Sequence, residues 1–197
     1  MLQKAERLLN QTKASPKKLY SLHAPEVECI AKGKAHKKYE FGSKVSVVSP
    51  AGDNFVLGIQ SFSGNPYDGH TLQQALEQSE RLAEFKAEEI YVDQGYRGHN
   101  YQGEAEVHIA RKKTKGLKKS LIKWLKRRSA IEPLIGHMKT NGRLDRNYLL
   151  GTEGDEINAI LCGCGFNLRK LLIAFLFWLF SLGQIISLRR HFRLAEI

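Results

Sequence analysis

Asp93 and Glu132 are the residues whose type and setting best suit them to do chemistry together. Asp93 follows the apolar run Ile90, Tyr91, Val92 and precedes Gln94 and Gly95. It reads as a carboxylate at the end of a buried strand, where side chains project from a sheet's edge, a usual station for a metal ligand. Glu132 comes 39 positions later, in a segment with apolar residues at 131, 134, 135 and 138, which is helical spacing. Arg128, Glu132 and Lys139 lie at offsets of four and seven and share one face of that helix. A carboxylate suited to a hard divalent cation, bracketed by two cations suited to phosphates, is the equipment of phosphodiester cleavage.

A basic segment joins the two acids. From Arg111 to Arg128 there are ten Lys or Arg in eighteen residues and no acid, within a chain of 197 residues with a net charge of +11. Such an imbalance points to a polyanion partner. If about five of these charges touch phosphates, the logarithm of the binding constant falls with log salt at a slope of about -4 to -5. The ordinary alternative is a solvated lysine-rich face. Lys112, Lys113, Lys115, Lys118, Lys119, Lys123, Arg127 and Arg128 are the candidate phosphate contacts here, with Lys139 on the Glu132 face.

The elements that must position these groups follow from periodicity and punctuation. A polar helix over 2–11 leads to a loop broken by Pro16 and Pro25. Alternation predicts one strand over 39–48, a turn at 49–54 and a returning strand over 55–63, forming a hairpin. GNPYDGH punctuates the chain before a helix to about residue 85. The Asp93 strand, a short strand over 107–110, and helices over 117–140 and from 155 onward complete the order. Pro133, directly after Glu132, requires either a new helix start or a kink there.

Longer blocks carry a resemblance. YSLHAPEVECIAKGKAHKKYEFG (20–42), GNPYDGHTL (64–72), YVDQGYRGHNY (91–101), RRSAIEPLIGHMK (127–139) and DRNYLLGTEGDEINAIL (145–161) occur in this order. Together they resemble DDE-type insertion-sequence transposases of the branch related to insertion sequence five. The resemblance implies an α/β fold, a ribonuclease-H-like domain with a mixed sheet flanked by helices. It also implies an Asp, Asp, Glu triad holding two Mg²⁺ or Mn²⁺ ions, and DNA partners, namely the ends of the insertion sequence and its target. Asp93 falls on the second Asp and Glu132 on the Glu. Of the Tyr, Arg, Glu, Lys signature of the Glu helix, Arg128, Glu132 and Lys139 fit, while Leu125 stands at the Tyr position beside Trp124. The first Asp belongs on a strand upstream of residue 20, where Glu6 is the sole acid in a helical context. The expectation is therefore an incomplete domain from a truncated or frame-split transposase, which either cuts DNA with a complementing chain or survives as an inactive DNA-binding remnant.

Other residues have two readings. Asp68 precedes a helix and fits an N-cap, or it stands beside the metals. Tyr96 and Arg97 fit DNA contacts or packing around the turn equally well, and His137 fits packing or a phosphate contact. His23, Cys29 and His36 lack the spacing and the fourth ligand of a zinc site. Residues 171–188 form an uncharged run of eighteen flanked by basic pairs. It just reaches membrane-spanning length, but Ser181, Gly183 and Gln184 favour a buried or oligomer-forming helix. No membrane partner is expected; a homo-oligomer or a complementing transposase chain is. Three unframed cysteines and no signal-like apolar start point to a reducing cytoplasm, which the resemblance implies is bacterial, with the chain at the nucleoid. The organisation expected is a helix and linker over 1–19, the catalytic domain over 20–168, and an apolar helix with a basic tail over 169–197.

Overall fold

The computed structural model describes residues 2–32, 38–111 and 115–194, with side chains described up to residue 184. Helix α1 (Leu2–Asn10) buries none of its residues. Strands β1 (Glu28–Ala31) and β2 (Tyr39–Gly42) pair antiparallel, Glu28 opposite Gly42 and Ala31 opposite Tyr39. Strands β3 (Lys44–Val48) and β4 (Gly58–Phe62) form a second antiparallel pair with Val47 opposite Ile59. The single strand expected over 39–48 is thus two. Gly42, at φ +145, redirects the chain so that β2 and β3 serve different partners, a conformation open to glycine because it has no Cβ. β1 itself lies in a stretch expected to be loop.

Helix α2 (Asp68–Ala83) leads into β5 (Glu89–Val92), which pairs parallel with β6 (Glu106–Ile109). Three basic and apolar segments follow: α3 (Lys119–Arg127), α4 (Ile131–Gly142) and α5 (Gly151–Leu194). The chain is therefore mixed α/β, as expected. Its described strands, however, form three separate two-stranded sheets rather than one mixed sheet.

Two apolar clusters hold these parts. One joins β3–β4 to α4 and α5 through Val56, Ile59, Leu134, Met138 and Ala159. The other joins α2 to β5–β6 through Leu72, Leu76, Ile90, Val92 and Ala105. β4 is covered from both sides, by α2 and by α5. The α5 contact is close because residue 163 is glycine: a Cβ there would stand 3.0 Å from Ile59 and 3.2 Å from Val56. The Asn167 amide locks this joint, accepting from the Val56 N–H at 2.9 Å and donating to its carbonyl at 2.8 Å. All three cysteines are free.

α5 is 44 residues long, and its first part covers the core. Lys170 makes its last described polar contact with the body, bonding the Asp53 carbonyl and lying 4.2 Å from the Phe55 ring centroid. From Leu171 to Gln184 every residue is exposed, so this stretch is not buried within its own chain. Part of α5 is long and apolar enough to cross a membrane by length and composition.

Candidate active site

Asp93 stands where the strand reading put it, one residue beyond β5. Val92 is buried and Asp93 is exposed, so the carboxylate emerges where the strand leaves the core. It caps a 3-10 turn over Gln94–Tyr96, with Oδ1 accepting from the Gly95 N–H at 2.8 Å. Gly95 sits between two carboxylates. A Cβ on it would meet Asp68 Oδ2 at 2.7 Å and Asp93 Oδ1 at 3.0 Å, so both acids border the same small space.

Asp68 is not the N-cap of α2. That position is Tyr67, whose side chain makes no capping bond, and Asp68 is the first helical residue. Its Oδ1 lies 2.8 Å from Lys44 Nζ, and the same ammonium donates to the Pro66 carbonyl. Only 19% of the Lys44 side chain is exposed, so this is a partly sheltered pair rather than a loose surface bridge. Sequence reasoning passed over Lys44. A signal was available in KVSVV, where Lys44 and the buried Ser46 share the same alternating face.

Beneath the acids lies a buried polar knot. Ser46 Oγ and Thr71 Oγ1 are 3.0 Å apart, and the Tyr96 phenol hydrogen-bonds to both. Burial pushes the Tyr96 pKa up; the charges of Asp68 and Asp93 push it further, against those two hydrogen bonds. Tyr96 is thus packing and hydrogen bonding around the turn, one of its two expected readings. Nearby, Tyr67 donates to the Arg97 carbonyl, and a Cβ on Gly69 would lie 2.9 Å from the His99 Cα. The GNPYDGH and YVDQGYRGH blocks, far apart in sequence, are therefore one joint. Arg97 projects from it, exposed.

Glu132 sits in the first turn of α4. The helix expected over 117–140 is interrupted by a 3-10 turn at Arg128–Ala130, and α4 begins afresh at Ile131. This answers the proline question, because Pro133 falls in a first turn whose N–H groups need no helical partner. Glu132 Oε1 is 3.5 Å from Arg128 Nη2, with 70% of its side chain exposed. Lys139, on the same face, reaches Glu40 at 3.7 Å.

A cavity of about 460 Å³ connects these parts. Val45 to Val48 of β3 and Glu89 to Val92 of β5 border it, with Asp93 and Arg128 also at its wall. Among the described residues β3 pairs with β4 alone and β5 with β6 alone, and both strands line this space. α2 lines it through Leu72 and Leu76, and α3 and α4 through Trp124 and Ile131. Tyr91 stacks on His108 at 5.0 Å and meets Trp124 at 6.4 Å, docking α3 over β5. Desolvation, followed by a hydrogen bond to Glu89, raises Tyr91 to about 12.

The basic segment divides by geometry. Lys115, Lys118, Lys119, Lys123 and Lys126 are exposed, Lys123 lying 5.4 Å from the Trp124 ring. Arg127 is engaged inside the chain, donating to the Gly52 carbonyl at 3.0 Å and to Asn54 Oδ1 at 2.7 Å. It clamps the β3–β4 turn. Lys112 and Lys113 lie outside the described residues, as does His36.

The donor chemistry suits a hard divalent ion in kind, since Asp93 and Glu132 offer exposed carboxylate oxygens. Asp93 borders the cavity, and Glu132 is held by an arginine that borders it too. Among the described residues, no three His, Cys, Asp or Glu side chains converge closely enough to hold a metal. Asp93 thus lines the cavity while Glu132 is tied to its wall through Arg128 alone, and no site closes around the two among the described residues.

Among known families, the one described as transposase DDE domain matches residues 16–168. No curated protein and no solved structure matches the chain.

Proposed function

Since this chain belongs to the transposase DDE-domain family, we propose that it takes part in metal-dependent DNA strand cleavage and transfer, with Asp93 and Glu132 as two of the carboxylates that hold the metal. The observation that carries the reading is the shared cavity wall: Asp93 borders it, and so does Arg128, the partner of Glu132. Bound Mg²⁺ or Mn²⁺ would supply Lewis-acid activation of water and of the scissile phosphate. The chain's own residues do the positioning. The Gly95 N–H and the Tyr96 knot fix Asp93, Lys44 neutralises Asp68 beside it, and the exposed lysines of α3 with Arg97 hold the DNA backbone.

The finer reading is a ribonuclease-H-like sheet of the insertion-sequence-five branch. In it β4, β3, β5 and β6 are four of five strands, and an extended segment between β3 and β5 supplies the fifth together with the third carboxylate. The support is that β3 and β5, each with one described partner strand, both line the cavity, because strand edges present unpaired N–H and C=O groups ready for another strand. Residues of α2, α3 and α4 line the cavity beside those strands, the kind of helical cover an interior strand requires. Without that segment the residues described here bind DNA and do not cut it.

The test is a supercoiled-DNA assay in Mg²⁺ or Mn²⁺, beside Asp93→Asn, Glu132→Gln and Asp68→Asn. Salt-sensitive binding without nicking is expected of the chain alone. Metal-dependent nicking abolished by all three substitutions would mean that Asp68 completes the site instead of a further strand. Nicking that survives Asp93→Asn and Glu132→Gln would overturn the proposal.

A further inference from the structure

A second hollow, of about 270 Å³, lies where the end of α4 meets α5. It shares no wall residue with the cavity beside β3 and β5. Its wall carries Arg143, Arg146 and Arg169 and, among the described residues, no Asp or Glu; Asp145, between two of these arginines in sequence, does not line it. Among the described residues none of the three guanidinium groups makes a hydrogen bond or an ion pair, whereas Arg127 and Arg128 are both engaged. Three like charges gathered around one hollow repel each other, and a bound anion offsets that repulsion. His137, Tyr148 and Asn158 complete the polar wall, and all of these side chains can donate to phosphate oxygens. Arg143 ends α4 in the left-handed region, at φ +59, where glycine is the usual occupant because it has no Cβ. An arginine held in that conformation points to a role for its side chain.

We propose that this hollow fixes the register of bound DNA, gripping the backbone phosphate about five nucleotides from the scissile one at Glu132. The distance follows from α4. Glu132, Gly136 and Arg143 lie at offsets of four and eleven, which at 3.6 residues per turn is one face of the helix. Eleven residues at 1.5 Å each span about 16 Å, and a nucleotide rises about 3.4 Å along its strand. The middle of that face is open: Gly136 is exposed, and a Cβ on it would meet nothing within 4 Å, so a strand can lie close against α4. The residue types divide the labour. Lysines such as those of α3 act on phosphates as point charges, while a guanidinium forks onto two oxygens in a fixed geometry. Arginines therefore set position where lysines supply attraction. The count of nucleotides rests on the reading of Glu132 as a metal ligand; the grip on phosphate does not.

The experiment compares the full chain with Arg143→Gly/Arg146→Gln/Arg169→Gln, using circular dichroism melts as the check on folding. Glycine suits the left-handed position, so the variant should melt no lower than the wild type; Arg143→Gly alone repeats the test if the triple variant does. Anisotropy of a labelled duplex across salt concentrations should give a slope shallower by about 1–2, for one or two phosphates at about 0.9 each. This adds to the share of the α3 lysines and leaves the loss on removing them unchanged. The register is read on a duplex carrying one neutral methylphosphonate linkage. Fe²⁺ at the metal site, with ascorbate and peroxide, cuts the DNA lying over it. Wild-type cutting should dip about five nucleotides from the neutral linkage, and the variant's should be even. An unchanged slope in a folded variant would overturn the phosphate grip, and a dip at another spacing, or one that persists in the variant, would overturn the register. Absence of localised DNA cutting by the wild type would instead count against the metal reading and the nucleotide count built on it, with the slope still deciding the grip.

Discussion

Replacing Lys118, Lys119 and Lys123 together by alanine should flatten the salt dependence of DNA binding without unfolding the chain. All three side chains are exposed, while α3 docks through Trp124 against Tyr91, so the substitutions leave its packing face intact. Five lysines between 115 and 126 stand exposed among the described residues. At about -0.9 in slope per neutralised phosphate, they give a slope of about -4.5, and removing three leaves about -2. Between 50 and 200 mM salt the wild type then loses about 500-fold in affinity and the variant about tenfold. Residues outside the description shift both slopes equally, so the difference of about 2.7 is the quantity to read. Fluorescence anisotropy of a labelled duplex across salt concentrations measures it. Arg127→Ala is the control: its guanidinium is bound to Gly52 and Asn54, so it should lower the melting temperature and leave the slope unchanged. Parallel slopes for wild type and triple variant, or a flattened slope for Arg127→Ala, would refute this division of the basic segment.

Thr71→Val should destabilise by about 1–3 kcal/mol in urea titration, because it leaves the Ser46 and Tyr96 hydroxyls short of a buried partner. Met138→Ala, at 1% exposure in the cluster under β4, should lose about 2–5 kcal/mol; a loss below 1 would mean that this core is not packed as described. Gly95→Ala should change the melting temperature little yet impair metal-dependent function, since its Cβ must push aside Asp68 and Asp93; intact metal binding would count against their shared space. Raised tyrosine pKa values mean that the unfolded chain gives up its phenol protons first as pH rises. Stability contributed by Tyr91 and Tyr96 should therefore be full below pH 10 and fall between 10 and about 12, and thermal melts across that range should show it.

How much of this was legible in the residues depends on the range of the forces involved. Asp93 at a strand end and Glu132 in a helix were readable, because apolar spacing on either side is local information. The break at Gly42 was not, since alternation runs on through Ser43 and only a choice between partner strands divides it. The helix break before Glu132 was foreseeable as one of two options from Pro133, and tertiary packing chose a new start. Asp68 looked like a cap by position, yet Lys44, 24 residues earlier, competes for its carboxylate. The three-way sharing of space by Asp68, Asp93 and Gly95 needed the fold. The C-terminal run read from composition as a buried or oligomer-forming helix, and the part of that reading that fails is burial, since Leu171 to Gln184 are exposed in the chain's own fold.

The most direct test of the central claim maps where the metal binds. Fe²⁺ with ascorbate and peroxide generates hydroxyl radicals at a metal site, and these cut the polypeptide beside it. In the DNA-bound chain, cuts are predicted around residues 93–97 and 128–133, suppressed by excess Mg²⁺ and lost in Asp93→Asn and in Glu132→Gln. Cuts elsewhere, or cuts at these positions indifferent to both substitutions, would contradict the claim that Asp93 and Glu132 hold one metal site.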